Sequence, residues 1–255
     1  MSKLKGLLWV GVAAGIGIVA AVGLPRLARH TPWPVERWMG SLSGGPDAGG
    51  LCGEAATPAQ SSLQTLVRRL YPLRADDTRI EIAVSVIRGE TVNAYATLGG
   101  RIYVYNGLLQ QAQSPEELAG VLAHEIEHVR QRHIIQGAIV SLVTWGGLKA
   151  VFQSGDVGIS HALLTLSFSR EQEAEADEQG LQRLRAAHVD AAGFANFFER
   201  ARQSAAPPAI LSNHPADQER AERAARFTGY PTHPVLTPSQ WAALQGICGP
   251  PRRSP

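Results

Sequence analysis

Residues 124 to 128 read His-Glu-Ile-Glu-His, and that order of side chains carries a specific chemistry. Histidines at i and i+4 lie on one face of a helix, so His124 and His128 can aim both imidazoles at a single tetrahedral Zn2+. Glu125 beside the first histidine reaches a water held on that ion and can act as general base for a hydrolysis. A catalytic zinc takes a third protein ligand and keeps one position open, which asks for another His, Glu or Asp downstream. The stretch Ser169-Arg170-Glu171-Gln172-Glu173-Ala174-Glu175-Ala176-Asp177 supplies one. Glu173 and Asp177 share a helical face there. Glu173 is placed to complete the metal set, and Asp177 can accept a hydrogen bond from a ligating imidazole and fix its tautomer. One Zn2+ per chain is the cofactor expected. Alone, so acidic a stretch would be an ordinary solvated helix face; the HExxH spacing gives it a second meaning.

Both motifs need helices to carry them. Ser114 followed by Pro115, with Glu117 three residues on, is a helix start of the SxxE capping-box type. Leu118, Val121, Leu122, Ile126 and Val129 then form one apolar stripe, so the spacing predicts a helix to about Arg132 with HExxH inside it. A second helix is expected over about Ser169 to Ala186, a third over about Ala191 to Ala201, and a charged one over Asp217 to Phe227. Upstream, Leu63, Leu66, Val67 and Leu70 predict a short amphipathic helix before Pro72. Alternation across Arg79 to Ile87, then Thr91 to Thr97 and Arg101 to Tyr105 joined at Gly99-Gly100, predicts an antiparallel meander with a glycine hairpin. The apolar segment Ile134 to Phe152 is read as a core or bilayer-touching helix.

The chain's ends differ from this middle. Leu7 to Leu24 is an uncharged run behind Lys3 and Lys5; as a helix it would be about 27 Å long, close to a hydrocarbon core of about 30 Å. An uncleaved transmembrane anchor is the first reading, and a signal segment cut near Val19-Ala20-Ala21 or Ala21-Val22-Gly23 is the other. The expected division is residues 1–30 as anchor or signal, 31–60 as a Pro/Gly-rich tether, 61–232 as the catalytic domain and 233–255 as an extension, with a disordered tail from Gly249. Cys52 and Cys248 flank that domain. In an oxidising compartment they could pair; otherwise they are two unpaired thiols. With 24 Lys+Arg against 22 Asp+Glu, charge is too balanced for a phosphate backbone to be the main partner, and no nucleic acid is expected.

With these segments in view, the chain resembles the HtpX/BepA-like family of membrane-associated metallopeptidases, within the gluzincin group. Asn93-Ala94-Tyr95-Ala96 with Gly100 and Gly107-Leu108, then His124 to His128, then Ser169-Arg170 through Glu173 to Ala176-Asp177, follow the family's order over residues 61–227. The resemblance implies an α+β minimal metallopeptidase with a small antiparallel sheet, metal ligands His124, His128 and Glu173, and Glu125 as base. It also implies cleavage of internal peptide bonds in unfolded or damaged envelope proteins. His214-Pro215 with Arg220 is similar to the family's HPxxxxR stretch, where a histidine can approach the metal and restrain activity. His214 then either occupies the open position, helps stabilise an oxyanion, or is a loop histidine that caps the next helix; Arg220 is an oxyanion or structural group.

An export reading places the protein in a bacterial-type cell envelope, anchored in the inner membrane with the domain periplasmic or extracytoplasmic. Its partners are then unfolded protein substrates and the membrane, with the oligomeric state left open. The rival is a membrane-tethered chaperone or assembly factor that keeps the zinc site with little or no proteolysis. His133 and His161 are read as structural, and Tyr95, Tyr103 and Tyr105 as a substrate wall or a packed strand face.

Overall fold

The computed structural model describes residues 23–24, 26–42, 44–46, 50–53, 57–72, 80–144, 168–205, 207–214 and 218–249. Most of the Leu7 to Leu24 run, His161 and the segment from Trp145 to Phe152 lie outside these residues. Among the described residues no helix is long and apolar enough to cross a membrane.

The first elements fall where a tether was expected: helix α1, Trp33–Leu42, and the short strand β1, Leu51–Cys52. Helix α2, Pro58–Leu70, starts on Thr57, whose side chain accepts from the Gln60 N–H, and it buries Leu63, Leu66 and Leu70. Strands β2, Ala83–Ile87, β3, Ala94–Thr97, and β4, Arg101–Tyr105, join β1 in one sheet of order β1-β2-β4-β3. The expected antiparallel meander is corrected here. The β3 and β4 strands do form the glycine hairpin, but β4 inserts beside β2 and runs parallel to it, from Ala83 opposite Arg101 to Ile87 opposite Tyr105. Alternation fixes which face of a strand is buried and leaves its neighbour undetermined. The choice is made by residues 88–93, which cross the end of β4: the Tyr105 N–H donates to Asn93 O and the Gly107 N–H to Gly89 O. At the hairpin, Gly100 has φ +74°, and a Cβ there would sit 1.9 Å from Glu81 O, so only glycine fits. The result is a mixed sheet in an α+β fold, with β3 at its edge.

Among the described residues helices follow without further strands: α3, Asn106–Gln111, α4, Pro115–Arg130, α5, His133–Thr144, α6, Arg170–Ala186, α7, Ala192–Gln203, α8, Ile210–Asn213, α9, Gln218–Arg226, and α10, Pro238–Gln245. Helix α4 is the spine. Everything from Glu117 to Val129 is buried, because β3 covers one side while α6 and α7 cover the others. Its cap differs in detail from the sequence expectation. Ser114 Oγ does accept from the Glu117 N–H, but the Glu117 carboxylate turns to the Gln113 N–H and to Arg200 instead of closing the box. The reciprocal box occurs at α6, between Ser169 and Gln172.

The region beyond residue 233 also packs: α10 lies against α2 and α3, and Cys248 forms a disulfide with Cys52. The paired alternative therefore describes these cysteines. Closing a loop of 196 residues restricts the unfolded chain by an amount that corresponds to about 5 kcal/mol in the chain-entropy treatment.

Candidate metal centre

Helices α4 and α6 cross so that the HExxH face meets the acidic face. Glu127, pointing away from that meeting, is buried and paired with the Arg183 guanidinium of α6, which also donates to Leu70 O. That ion pair fixes the two helices against each other. On the opposite side, His124 Nε2 and His128 Nε2 lie 2.9 Å apart. Glu173 Oε2 is 3.4 Å from the first and Glu173 Oε1 is 3.4 Å from the second. The structure thus brings together the residues that the spacing pointed to, and it adds His214 to them. His214 Nδ1 is 3.1 Å from His124 Nε2 and 3.0 Å from Glu173 Oε1, and its Nε2 is 3.3 Å from Glu125 Oε1. One donor atom from each of His124, His128, Glu173 and His214 falls within 4.8 Å of all the others, and all four side chains are buried.

Each ring is held from behind. His124 Nδ1 is 2.9 Å from Asp177 Oδ1, the contact expected of a carboxylate that fixes a tautomer. Arg220 grips the same carboxylate through Nε and Nη2 at 2.5 and 2.8 Å and reaches Glu173 Oε2 through Nη1 at 3.0 Å. Its guanidinium is therefore engaged by two site carboxylates and anchors α9 to α6. His128 has an equivalent that the sequence reading missed. His133 Nδ1 lies 3.1 Å from His128 Nδ1, and His133 Nε2 lies 3.2 Å from Glu175 Oε2. A consistent proton arrangement runs from the His128 Nδ1–H to His133 Nδ1 and from the His133 Nε2–H to Glu175, which leaves the His128 Nε2 lone pair facing inward. Phe168 stacks on the His128 ring at 4.0 Å, and Phe194 and Phe198 flank His124.

The electrostatics are those of a site built around a cation. Burial opposes charging of His124, but hydrogen bonds to Asp177 and Glu173 outweigh it and raise the imidazole to about 9. Burial, together with that neighbouring positive charge, pushes His128 well below the ordinary imidazole value. Glu173 and Asp177 are held below the usual carboxylate range: burial would raise both, but the hydrogen bonds they accept, from His124 first, prevail. Burial pushes Glu125 up against the pull of His214 and His124, with the neighbouring Ala96 backbone of β3 also opposing the rise. Glu125 Oε1 and Glu173 Oε2 are held by ion-pair contacts alone, to His214 and to Arg220 and His124, without a well-aligned hydrogen bond. Imidazole nitrogens facing one another at hydrogen-bond distance, with their outer nitrogens already engaged, fit an ion between them; without one, a proton on His124 takes its place.

The remaining sequence candidates lie elsewhere. Tyr95 and Tyr103 are buried on the sheet with Ile87, and Tyr105 packs on them, as a strand face does. His188 and His233 sit together away from the centre.

Comparison with known proteins agrees with this geometry. Residues 59–228 match the model of peptidase family M48. The chain is similar to the beta-barrel assembly-enhancing protease of Yersinia pestis, 30% identical over 194 residues that are 67% of this chain and 40% of that protein. It is similar to metalloprotease LoiP of Escherichia coli K12, 33% identical over 153 residues, 54% of this chain and 59% of that one. It also resembles the mitochondrial metalloendopeptidase OMA1 of Schizosaccharomyces pombe, 33% identical over 150 residues, 54% of this chain and 44% of the yeast protein. The matched region thus spans only about two fifths to three fifths of these relatives. With the family match covering most of the sequence, the chain belongs to peptidase family M48 and is a metallopeptidase.

Proposed function

We propose that the chain is a zinc-dependent endopeptidase acting on unfolded or misassembled envelope proteins, tethered to a membrane by its N-terminal apolar run. His124, His128 and Glu173 hold the metal and Glu125 is the base. The observation that carries this reading is the buried convergence of those donors beside a carboxylate oxygen without a well-aligned hydrogen bond. When bound, zinc supplies a Lewis acid that polarises the scissile carbonyl and acidifies water. Glu125 takes the proton from the attacking water as the new C–O bond forms, then delivers it to the amide nitrogen as the C–N bond breaks. With a metal bound, Asp177 and His133 would engage the outer ring nitrogens and turn the Nε2 lone pairs of His124 and His128 toward it, and Arg220 holds Asp177 and Glu173 in place. Strand β3 packs on α4 with its Ala96 backbone near Glu125, so an extended peptide laid along that sheet edge would present its carbonyl next to the base, and main-chain pairing would select for unfolded chains. The names of the Yersinia and Escherichia relatives, an assembly-enhancing protease and a metalloprotease, point the same way.

His214 has two parts in this reading. It takes the fourth donor position, and the chain leading to it crosses the approach to β3, where the Ile210 N–H donates to Val92 O. The enzyme is latent in this arrangement. A His214→Ala variant is expected to cleave a denatured protein several-fold faster than wild type at equal zinc content, measured by the appearance of new amino termini. A slower variant would assign His214 to the transition state, and an unchanged one would remove it from the machinery.

The His133 contact gives a second expectation. His133→Leu deprives the His128 Nδ1–H of its acceptor, and zinc affinity is expected to fall about 10- to 100-fold, read by competition with a fluorescent chelator. His133→Gln, which keeps an acceptor, should recover much of the loss. Equal weakening by both variants would mark His133 as packing only.

A further inference from the structure

Among the described residues the exposed large hydrophobic side chains are Leu27 (68%), Val35 (44%), Trp38 (61%), Leu42 (48%) and Leu51 (42%), all between residues 27 and 51. Val35, Trp38 and Leu42 are spaced i, i+3 and i+7 on α1 and form one stripe. The helix is not a loose strap that happens to show them. Its inner face is clamped: Glu36 is buried and ion-paired with Arg132 at 2.5 Å, Arg132 lies over the Trp33 ring and donates to Thr31 O, and Arg101 donates to Gly40 O. A Cβ on Gly40 would sit 2.3 Å from Leu98 O, so this contact with the hairpin admits only glycine. Held so tightly, α1 still turns a tryptophan and two aliphatic side chains outward.

From this geometry we propose that the outer face of α1 is a bilayer-seating surface, resting among the headgroups of an anionic membrane. The uncharged run that ends at Leu24 delivers the chain to this helix, and the inference rests on that run entering the membrane. Exposed Arg26 and Arg29 lie between the run and the stripe, while Arg37 pairs with Glu81. Cations beside an apolar face that carries tryptophan are what an anionic headgroup layer accepts. A second copy of the chain or a protein partner would gain nothing from the position of the stripe immediately after the run. Because Arg132 joins the end of the α4 helix to α1, seating α1 on lipid fixes the metal centre's height and tilt above the bilayer.

The test uses the full chain in vesicles of phosphatidylethanolamine and phosphatidylglycerol, with a nitroxide on Trp38→Cys or Leu42→Cys and, as aqueous reference, on Gln203→Cys of α7. The native cysteines are paired and take no label. Power saturation should give more collisions with oxygen than with a water-soluble nickel chelate at positions 38 and 42, and the reverse at 203. If the protein floats with the vesicles but 38 and 42 behave like 203, the seating is wrong although the anchor stands. Shielding of 38 and 42 from both reagents would assign the face to a protein partner and overturn the proposal. Failure to float would remove the anchor reading and the seating with it, while leaving the metal centre's chemistry untouched.

Discussion

Glu125→Gln is expected to lower kcat on a denatured protein by about 10²- to 10⁴-fold, the usual contribution of a positioned general base, with zinc content and fold unchanged. The side chain is buried in the middle of α4, so its replacement must keep its shape, and glutamine does. What is lost is the ability to take a proton. Burial already disfavours the charged carboxylate, and His214 and His124 act against that; the amide loses this pairing without creating an unpaired charge. The proposed metal set of His124, His128 and Glu173 does not include residue 125, so zinc measured by atomic emission should equal wild type. Full activity with full zinc would rule out Glu125 as the base.

The centre was legible in the sequence to the extent that its parts lie on single helices. His124 and His128 are one turn apart on α4, and Glu173 and Asp177 are one turn apart on α6, so helical periodicity alone puts each pair on a common face. What periodicity cannot report is how the chain turns after a helix ends. His133 lies five residues beyond His128 and looked structural; it returns to the His128 ring because Arg132 adopts φ +66°, held there by Glu36 and Thr31 O. That left-handed turn depends on α1, which was itself hidden in a stretch whose prolines and glycines suggested a tether. The same limit explains the sheet. Local alternation identified β2, β3 and β4, but the parallel placement of β4 beside β2 is fixed by the path of residues 88–93. The partnership of Arg220 with Asp177 and Glu173 is a meeting of separate helices, for which local spacing carries no signal. In the other direction, Ser114, Pro115 and the stripe from Leu118 to Val129 located α4 well, because a cap and a buried face are local properties of a helix.

Removing the metal is expected to abolish hydrolysis completely and reversibly. Without a cation the inward nitrogens lose the charge that gathers them, and His124, raised to about 9 by Asp177 and Glu173, fills the gap with a proton. A protonated ring cannot also donate its lone pair, so zinc and proton compete for one position. The fold should survive the exchange, because Arg220 still pairs with Asp177 and Glu173 and Arg183 still pairs with Glu127. Zinc that binds only the folded chain should nevertheless raise the Tm in a concentration-dependent way. The deciding measurement is cleavage of a denatured protein by the full His214→Ala chain, in which the proposed latency would be lifted, before stripping with a chelator, after it, and after return of one zinc per chain. Internal cuts are expected that vanish on stripping and return with zinc. Cuts that persist in the stripped chain, or a zinc-loaded chain that binds the denatured protein without cutting it, would contradict the proposed zinc-dependent endopeptidase activity.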